Sequence, residues 1–522
     1  FFLEQIRTMA RAMDQWVQKK AAVDFSQGLP EGILTRERLE SDRQTEGQIF
    51  QQMVSLQEEL DWVCYAAYGL IPVDEVPSAW LHHSRQAPPI ALGQRAFEIA
   101  LARKVVAGEE ETTWFLRHGS NPVTEVPRGW DDWYQKLVER RLELIELNPD
   151  IALIEKPEFK RRWNQTPWHE RLQNALKDWL LLRLEGYFDL DGRMERAEAE
   201  PERPGRHLAV PEPALVSLGQ LAEIAGRDAE FLNRGGLYRD DAAFDVYGLV
   251  FELVEAETVP LLPVCRYRAE GQIKRAVWER TWELQRAEDR GEAVGTIPVP
   301  PKYAQTDFQK ADYWRLRGKL DVPKERWAGF PGVSAADGTP LVAWAGYNHL
   351  QLAQALAQFV VQVLEKEGGS DDPRLIPLLA GIGELVPWLK QWHNEPDPEF
   401  GIGMGNYFAG FVQEQALRLG KTVPELKEWV PPANSRGRRA AVAEPRARRE
   451  RAPAADREAM KEKILDVARQ SAKVTNAMCL EVLGEGASAA MVSQLLKALS
   501  AEGGPLEKVG SKGPGVFYRL RG

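Results

Sequence analysis

The residue types best suited to chemistry in this chain are cations interleaved with aromatic rings. Three stretches carry them, and a fourth group lies on the recognition helix and wing expected near the C-terminus. The first is Lys160, Arg161, Arg162 and Trp163; the second is Arg266, Arg268, Lys274 and Arg275, ahead of Trp278 and Trp282. The third holds Arg315, Arg317, Lys319, Lys324 and Arg326 beside Tyr313, Trp314 and Trp327, and the fourth offers Gln494, Lys497 and Lys512. Arginine and lysine neutralise phosphates, while rings and guanidinium planes stack on bases, so the pattern predicts a surface for a polyanion bearing flat bases. The same residues also have an internal use, because proteins pair Arg with Glu and bury Trp routinely.

Two sharper patterns lead elsewhere. Pro149-Asp150 followed by Glu158-Phe159-Lys160 has the outline of a metal-dependent nuclease site, in which carboxylates hold a divalent ion and the lysine assists a water nucleophile. Pro157 sits where a strand carrying Glu158 and Lys160 would have to run, which weighs against it. Gly401, Gly403 and Gly405 are spaced like a cofactor-cradling loop, yet they follow a polar turn instead of a parallel strand and lack an acidic ribose partner. A closely packed helix entry is the expectation there. Cys64, Cys265 and Cys479 are too widely separated for a metal knuckle and do not form a disulfide framework. No catalytic residue and no metal ligand is assigned.

Several phrases carry a family likeness. LQEELDWVCYAAYGL (56–70), PVCRYRAEGQIKRAVWERTWELQRAED (263–289), IPVPPKY (297–303), DYWRLRGKLDVPKERWAGFP (312–331) and LVAWAGYNHLQLAQ (341–354) together resemble the C-terminal half of the adenine-specific DNA methyltransferases (PglX) of phage growth limitation and type 2 BREX defence systems. The resemblance covers about residues 45 to 430. It implies a parent enzyme that moves a methyl group from S-adenosylmethionine to adenine N6 and marks host DNA, with double-stranded DNA and the other defence proteins as partners. Such an enzyme needs an (N/D/S)PP(Y/F) tetrapeptide to accept the flipped base's amine. Asn148-Pro149 is followed by Asp150 and Ile151, so the tetrapeptide is not met in this sequence. The expectation is therefore a target-recognition and scaffold portion that binds no S-adenosylmethionine itself. A free-standing DNA-binding adaptor or regulator of a defence complex stays open beside it.

Behind these residues lies an ordinary globular composition, 44% hydrophobic and 28% charged over 522 residues. The formal charge of -10 excludes a uniformly basic coat, so DNA contact must come from local patches. A cytoplasmic protein without a membrane span is expected, and the opening Phe1-Phe2 reads as the inside of a longer reading frame or a processed product. The fold class expected is mainly α with α+β parts. Residues 1–70 form a helical connector to an absent catalytic domain, 71–207 an α+β target-recognition region with a short strand at Ile151–Ile154, and 208–430 a mainly helical scaffold with a polar turn over Asn233–Asp240. A basic, Pro- and Arg-rich linker (431–457) leads to a winged helix-turn-helix (458–522), whose third helix turns Val492, Leu495, Leu496 and Leu499 inward.

Overall fold

The computed structural model describes residues 2–25, 28–71, 87–188, 213–316, 325–396, 401–431, 454–471, 474–483, 489–500, 504–509 and 517–521. The chain is mostly helical and divides into two compact units, Phe1–Gly437 and Arg438–Gly522.

The first unit opens with α1 (Phe2–Ala21) and α2 (Arg36–Ala67), which pack on each other and send Met13, Trp16, Ile49, Met53 and Trp62 to one apolar core. Thr35 starts α2 by accepting from the Arg38 N–H at 3.2 Å, and Gly69 at φ +71° turns the chain away after it. Next come α3 (Ala96–Ala107), α4 (Asp132–Leu147), α5 (Pro149–Ile154) and α6 (Trp168–Gly186). Residues 87–188 contain no strand, and residues 72–86 and 189–207 of the region expected to be α+β lie outside the described residues. The strand expected at Ile151–Ile154 is α5. Its cause is a cap: Asn148 Oδ1 accepts from the N–H groups of Asp150 (2.9 Å) and Ile151 (3.2 Å), and Pro149 presets the first helical φ.

Strands enter after residue 213. A four-stranded sheet is built from β1 (Val216–Ser217), β2 (Thr258–Pro260), β3 (Trp327–Ser334) and β4 (Pro340–Trp344) in the order β1-β4-β3-β2. β4 runs antiparallel to both neighbours, whereas β2 runs parallel to β3, with Thr258 opposite Trp327. Around the sheet lie α7 (Ala269–Asp289), the short α8 (Ala311–Arg315), α9 (His349–Gln362), α10 (Leu375–Trp392) and α11 (Met404–Arg418). Trp327, Leu356, Phe359, Leu378, Leu385 and Val412 belong to one core that β3 shares with α9, α10 and α11. The polar turn expected over Asn233–Asp240 is instead the end of a helix, Ala229–Arg239. Gly235 reads as a turn signal but is a packing glycine, since an added Cβ would lie 2.5 Å from the Phe244 ring.

The second unit holds α12 (Ala454–Gln470), α13 (Asn476–Leu483), α14 (Ala489–Leu499) and an antiparallel pair, β5 (Leu506–Val509) and β6 (Phe517–Leu520). Val492, Leu495, Leu496 and Leu499 of α14 are buried together with Ile464 and Leu506, the face anticipated from their spacing. Residues 432–453, including most of the basic stretch, lie outside the described residues. Among the described residues no helix is long and apolar enough to cross a membrane, and all three cysteines are free thiols.

Asp228 ties α6 to the helix it caps. Its carboxylate accepts from Arg183 Nε (2.5 Å), Tyr187 Oη (2.9 Å) and the N–H groups of Glu230 and Phe231. Burial pushes its pKa up, but the Arg183 hydrogen bond and charge, with the other donors, hold it below the usual aspartate value. A depressed carboxylate pKa gives stability that is present above pH 3.8 and is lost as pH falls through the folded value. Asp228→Asn should therefore cost about 1–3 kcal/mol at pH 7 and flatten the fall of Tm below pH 4, as read by thermal melts across pH 2–7.

Candidate nucleic-acid interface

The stretch 266–315 converges on one buried carboxylate. Asp307 Oδ2 accepts from Lys274 Nζ at 2.8 Å and from the Ala304 N–H at 2.6 Å, and its carbonyl accepts from the Arg268 N–H at 2.8 Å. The Lys274 hydrogen bond, the foremost cause, and the Ala304 N–H hold its pKa below the usual aspartate value. Gly271 permits this closure, because an added Cβ would stand 2.3 Å from the Asp307 carbonyl oxygen. Tyr267 bridges to Phe308 in a short antiparallel pairing, and Gln309 Nε2 donates to the Tyr267 carbonyl at 3.0 Å.

That closure assembles rings from separate segments. Tyr267 and Tyr303 stack with centroids 5.2 Å apart and planes 18° from parallel; Phe308 lies 5.0 Å from Tyr267 and 5.6 Å from Trp314. Phe308 is buried, and the other three are half-buried. Tyr313 belongs to the same neighbourhood, with its phenol pushed up to about 12, chiefly by burial. Around the rings stand four exposed cations: Arg268, Lys302, Lys310 and Arg315. Lys310 Nζ lies 5.6 Å from the Tyr313 ring, and among the described residues Arg315 has the distant carboxylates Asp312 (3.6 Å) and Glu257 (3.9 Å) near it. The set offers exposed positive charge backed by flat apolar surface.

Sequence density did not single out Tyr267, Tyr303, Phe308, Lys302 or Lys310. They lie one or two to a segment, and the bridge at residues 267 and 308 is what gathers them.

Other expected contacts are spent inside the fold. Lys274 faces Asp307; Arg275 pairs with Glu279 (2.8 Å) and Glu384; Arg326 pairs with Glu185; and Arg266 donates to the Pro260 carbonyl at 3.0 Å with Glu325 at 3.8 Å. These four answer carboxylates or backbone. Trp327, grouped with the cations by sequence, is wholly buried in the sheet core. Arg161 and Arg162 are exposed on the surface of the first core, and Arg161 lies 4.3 Å over the ring of the buried Trp163. On the second unit Lys497 is exposed, while the side chains of Gln494 and Lys512 lie outside the described residues. Arg317, Lys319 and Lys324 lie outside them too.

Lys160 is corrected outright. Its side chain is 3% exposed, and Nζ reaches Glu155 (2.7 Å), Asp61 (2.8 Å) and the Tyr65 hydroxyl (3.2 Å). Burial alone would lower its pKa, but the charges of Glu155, Glu58 and Asp61 raise it above the ordinary lysine value and keep it cationic. It cannot meet a phosphate. Nor can it serve a nuclease, since Glu158 is exposed on a 3-10 turn (Pro157–Phe159), Asp150 belongs to a helix, and the lysine's donors point to other carboxylates. The glycines at 401–405 are likewise structural. A Cβ at Gly403 would lie 2.4 Å from the Asn394 carbonyl oxygen and one at Gly405 2.6 Å from the Lys390 nitrogen, so they admit the start of α11 and do not fit an S-adenosylmethionine cradle. Lys160→Met should cost about 3–5 kcal/mol by stranding buried carboxylates, with DNA affinity of the folded variant keeping its salt dependence. Denaturant melts paired with binding titrations check both halves.

Comparison with known proteins places these observations. Residues 53–440 match the family described as "Domain of unknown function (DUF7008)". The chain is 37% identical over 446 residues to the adenine-specific methyltransferase PglX of Streptomyces coelicolor, an alignment covering 83% of this chain and 34% of that protein. The chain thus spans about a third of the length of this relative. No solved structure matches it. The chain belongs to the DUF7008 family, and over most of its length it is similar to an adenine-specific methyltransferase.

Proposed function

We propose that this chain is the DNA-contacting and scaffold portion of an adenine-specific DNA methyltransferase of a BREX/Pgl-type phage-defence system. The observation that carries the reading is the ring-backed rim of Arg268, Lys302, Lys310 and Arg315, exposed in a chain whose total charge is -10. Cations of that kind neutralise phosphates and fix register on a duplex, and neighbouring rings add stacking surface. Similarity to PglX supplies the enzyme class. In this reading methyl transfer from S-adenosylmethionine to a flipped adenine belongs to a catalytic portion of the parent protein that carries the tetrapeptide unmet here, and the present residues hold the duplex while the base is taken out.

The helical bundle and strand pair of the second unit take the role of a winged helix-turn-helix appended to this scaffold. Lys497, exposed near the end of α14, would approach DNA from it, with Gln494 and Lys512 as further contacts. Exposed Arg161 and Arg162 form a second cationic spot for the backbone.

Titration of a labelled duplex at several salt concentrations tests the reading. Combining Arg268→Ala with Arg315→Ala should lower the slope of log K against log[salt] by about 0.9 for each phosphate that is no longer neutralised, at unchanged Tm. An unaltered slope would remove this rim from the interface.

A further inference from the structure

We propose that Glu58 and Glu155 hold one proton between them in the folded chain, so that the contact of α2 with residues 149–160 is a latch that weakens as pH rises. The inference is independent of the DNA reading. It starts from the charges buried around Lys160. Four buried carboxylates, Glu58, Glu59, Glu98 and Glu155, meet three buried cations, Arg95, Arg141 and Lys160, so one negative charge is in surplus. Arg95 is spent on Glu98 and Arg141 on Glu59, each through two hydrogen bonds. Lys160 serves Glu155 (2.7 Å) and the half-buried Asp61 (2.8 Å). Glu58 is left without a cation in hydrogen-bond contact among the described residues. Its Oε1 accepts from Trp62 Nε1 and the Ala96 N–H, and its Oε2 is buried with no partner among those residues. Glu155 repeats the pattern: Oε1 accepts from Lys160 and from the Tyr65 hydroxyl (2.6 Å), while Oε2 is buried and bare.

Two like-charged carboxylates in a low-dielectric interior resolve their repulsion by keeping a proton on one of them. Glu155 is the carrier. Burial, and after it the charge of Glu58, push the Glu155 carboxyl up against the pull of Lys160, whereas Lys160, Arg141 and Arg95 hold Glu58 down despite its burial. The other titratable groups facing the pair are Asp61 and Tyr65 from α2 and Tyr134 from α4. Both phenols are pushed above the ordinary tyrosine value, chiefly by burial, so neither supplies the change of charge. A carboxyl with a raised folded pKa gives stability that is fully present below the unfolded value of 4.5 and is lost as pH rises through the folded value. Above it a second charge must stand beside Glu58, and the load falls on the Glu155–Lys160–Asp61 contact that joins the 149–160 segment to α2.

Infrared difference spectra of the full chain, wild type minus Glu155→Gln at about pH 7, test the proton directly. A protonated-carboxyl carbonyl band should be present. Glu58→Gln removes the neighbouring charge, so in that protein the band should vanish at lower pH than in wild type. The wild type minus Glu58→Gln spectrum reads the same shift if Glu155→Gln does not fold. Urea melts from about pH 5 to 9 give a second reading: relative to wild type, the folded-to-unfolded ratio of Glu155→Gln should rise by up to about tenfold per pH unit until the folded value is passed. Each single substitution should be tolerated, because glutamine keeps the shape and the acceptor oxygen. The Glu58→Gln/Glu155→Gln pair should lose more than the two singles together, since Lys160 then keeps Asp61 as its one carboxylate partner among those named. Absence of the band from wild type assigns the two bare oxygens to bound water and overturns the proposal. So does a loss of stability in both single variants that does not change with pH.

Discussion

The first half of the chain depends on carboxylates buried along α2 and the cations brought to meet them. Glu59 is held bidentately by Arg141 (2.8 and 2.7 Å) and receives the Tyr134 hydroxyl at 2.8 Å, which fixes α4 to α2. Glu58 accepts from Trp62 Nε1 and the Ala96 N–H, both at 3.2 Å, tying the start of α3 to the same helix. Burial works against its charge, but Lys160, Arg141 and Arg95 hold its pKa below the normal glutamate value. Glu98 takes Arg95 Nε and Nη2, the Gly93 N–H and Trp114 Nε1, while Arg95 also donates to the Arg161 carbonyl at 3.1 Å. Removing one member strands the rest in a low-dielectric interior, where an uncompensated charge costs far more than a broken surface pair.

This network explains how an acidic chain can still expose local positive charge. Cations facing internal carboxylates (Arg95, Arg141, Lys160, Lys274, Arg326) set the geometry and are unavailable to a polyanion. Arg268, Lys302 and Lys310 remain exposed, and among the described residues Arg315 has only loose partners. The two classes cooperate at Asp307, where an internal pair with Lys274 closes the loop that carries Lys302 and Lys310 outward. In the function proposed for this surface, its geometry thus rests on the Lys274–Asp307 ion pair.

Legibility followed the range of the interactions. Spacing within one helix predicted the inward face of α14, the helical character of the segment ending at Gly69 and the packed entry at Gly403, because those features depend on near neighbours. Properties set by contacts far along the chain were not legible. Lys160 reads as a surface cation until Asp61, 99 residues away, is brought to it, and Trp327 reads as a stacking ring until β3 is enclosed. Ile151–Ile154 is apolar enough for either a strand or a helix turn, and the Asn148 cap decided it. The resemblance seen in separated phrases matched the relationship to PglX, which periodicity alone could not have supplied.

In the function proposed for this chain, the duplex rests on the Tyr267–Arg315 surface, while Lys160 and its carboxylates stay internal. Hydrogen–deuterium exchange of the full chain, with and without a saturating DNA duplex, tests this directly. Peptides spanning 266–275 and 300–316 should gain protection on binding, and those around Glu155–Lys160 should be equally protected in both states. Protection confined to other surfaces, with 266–316 unchanged, would contradict it.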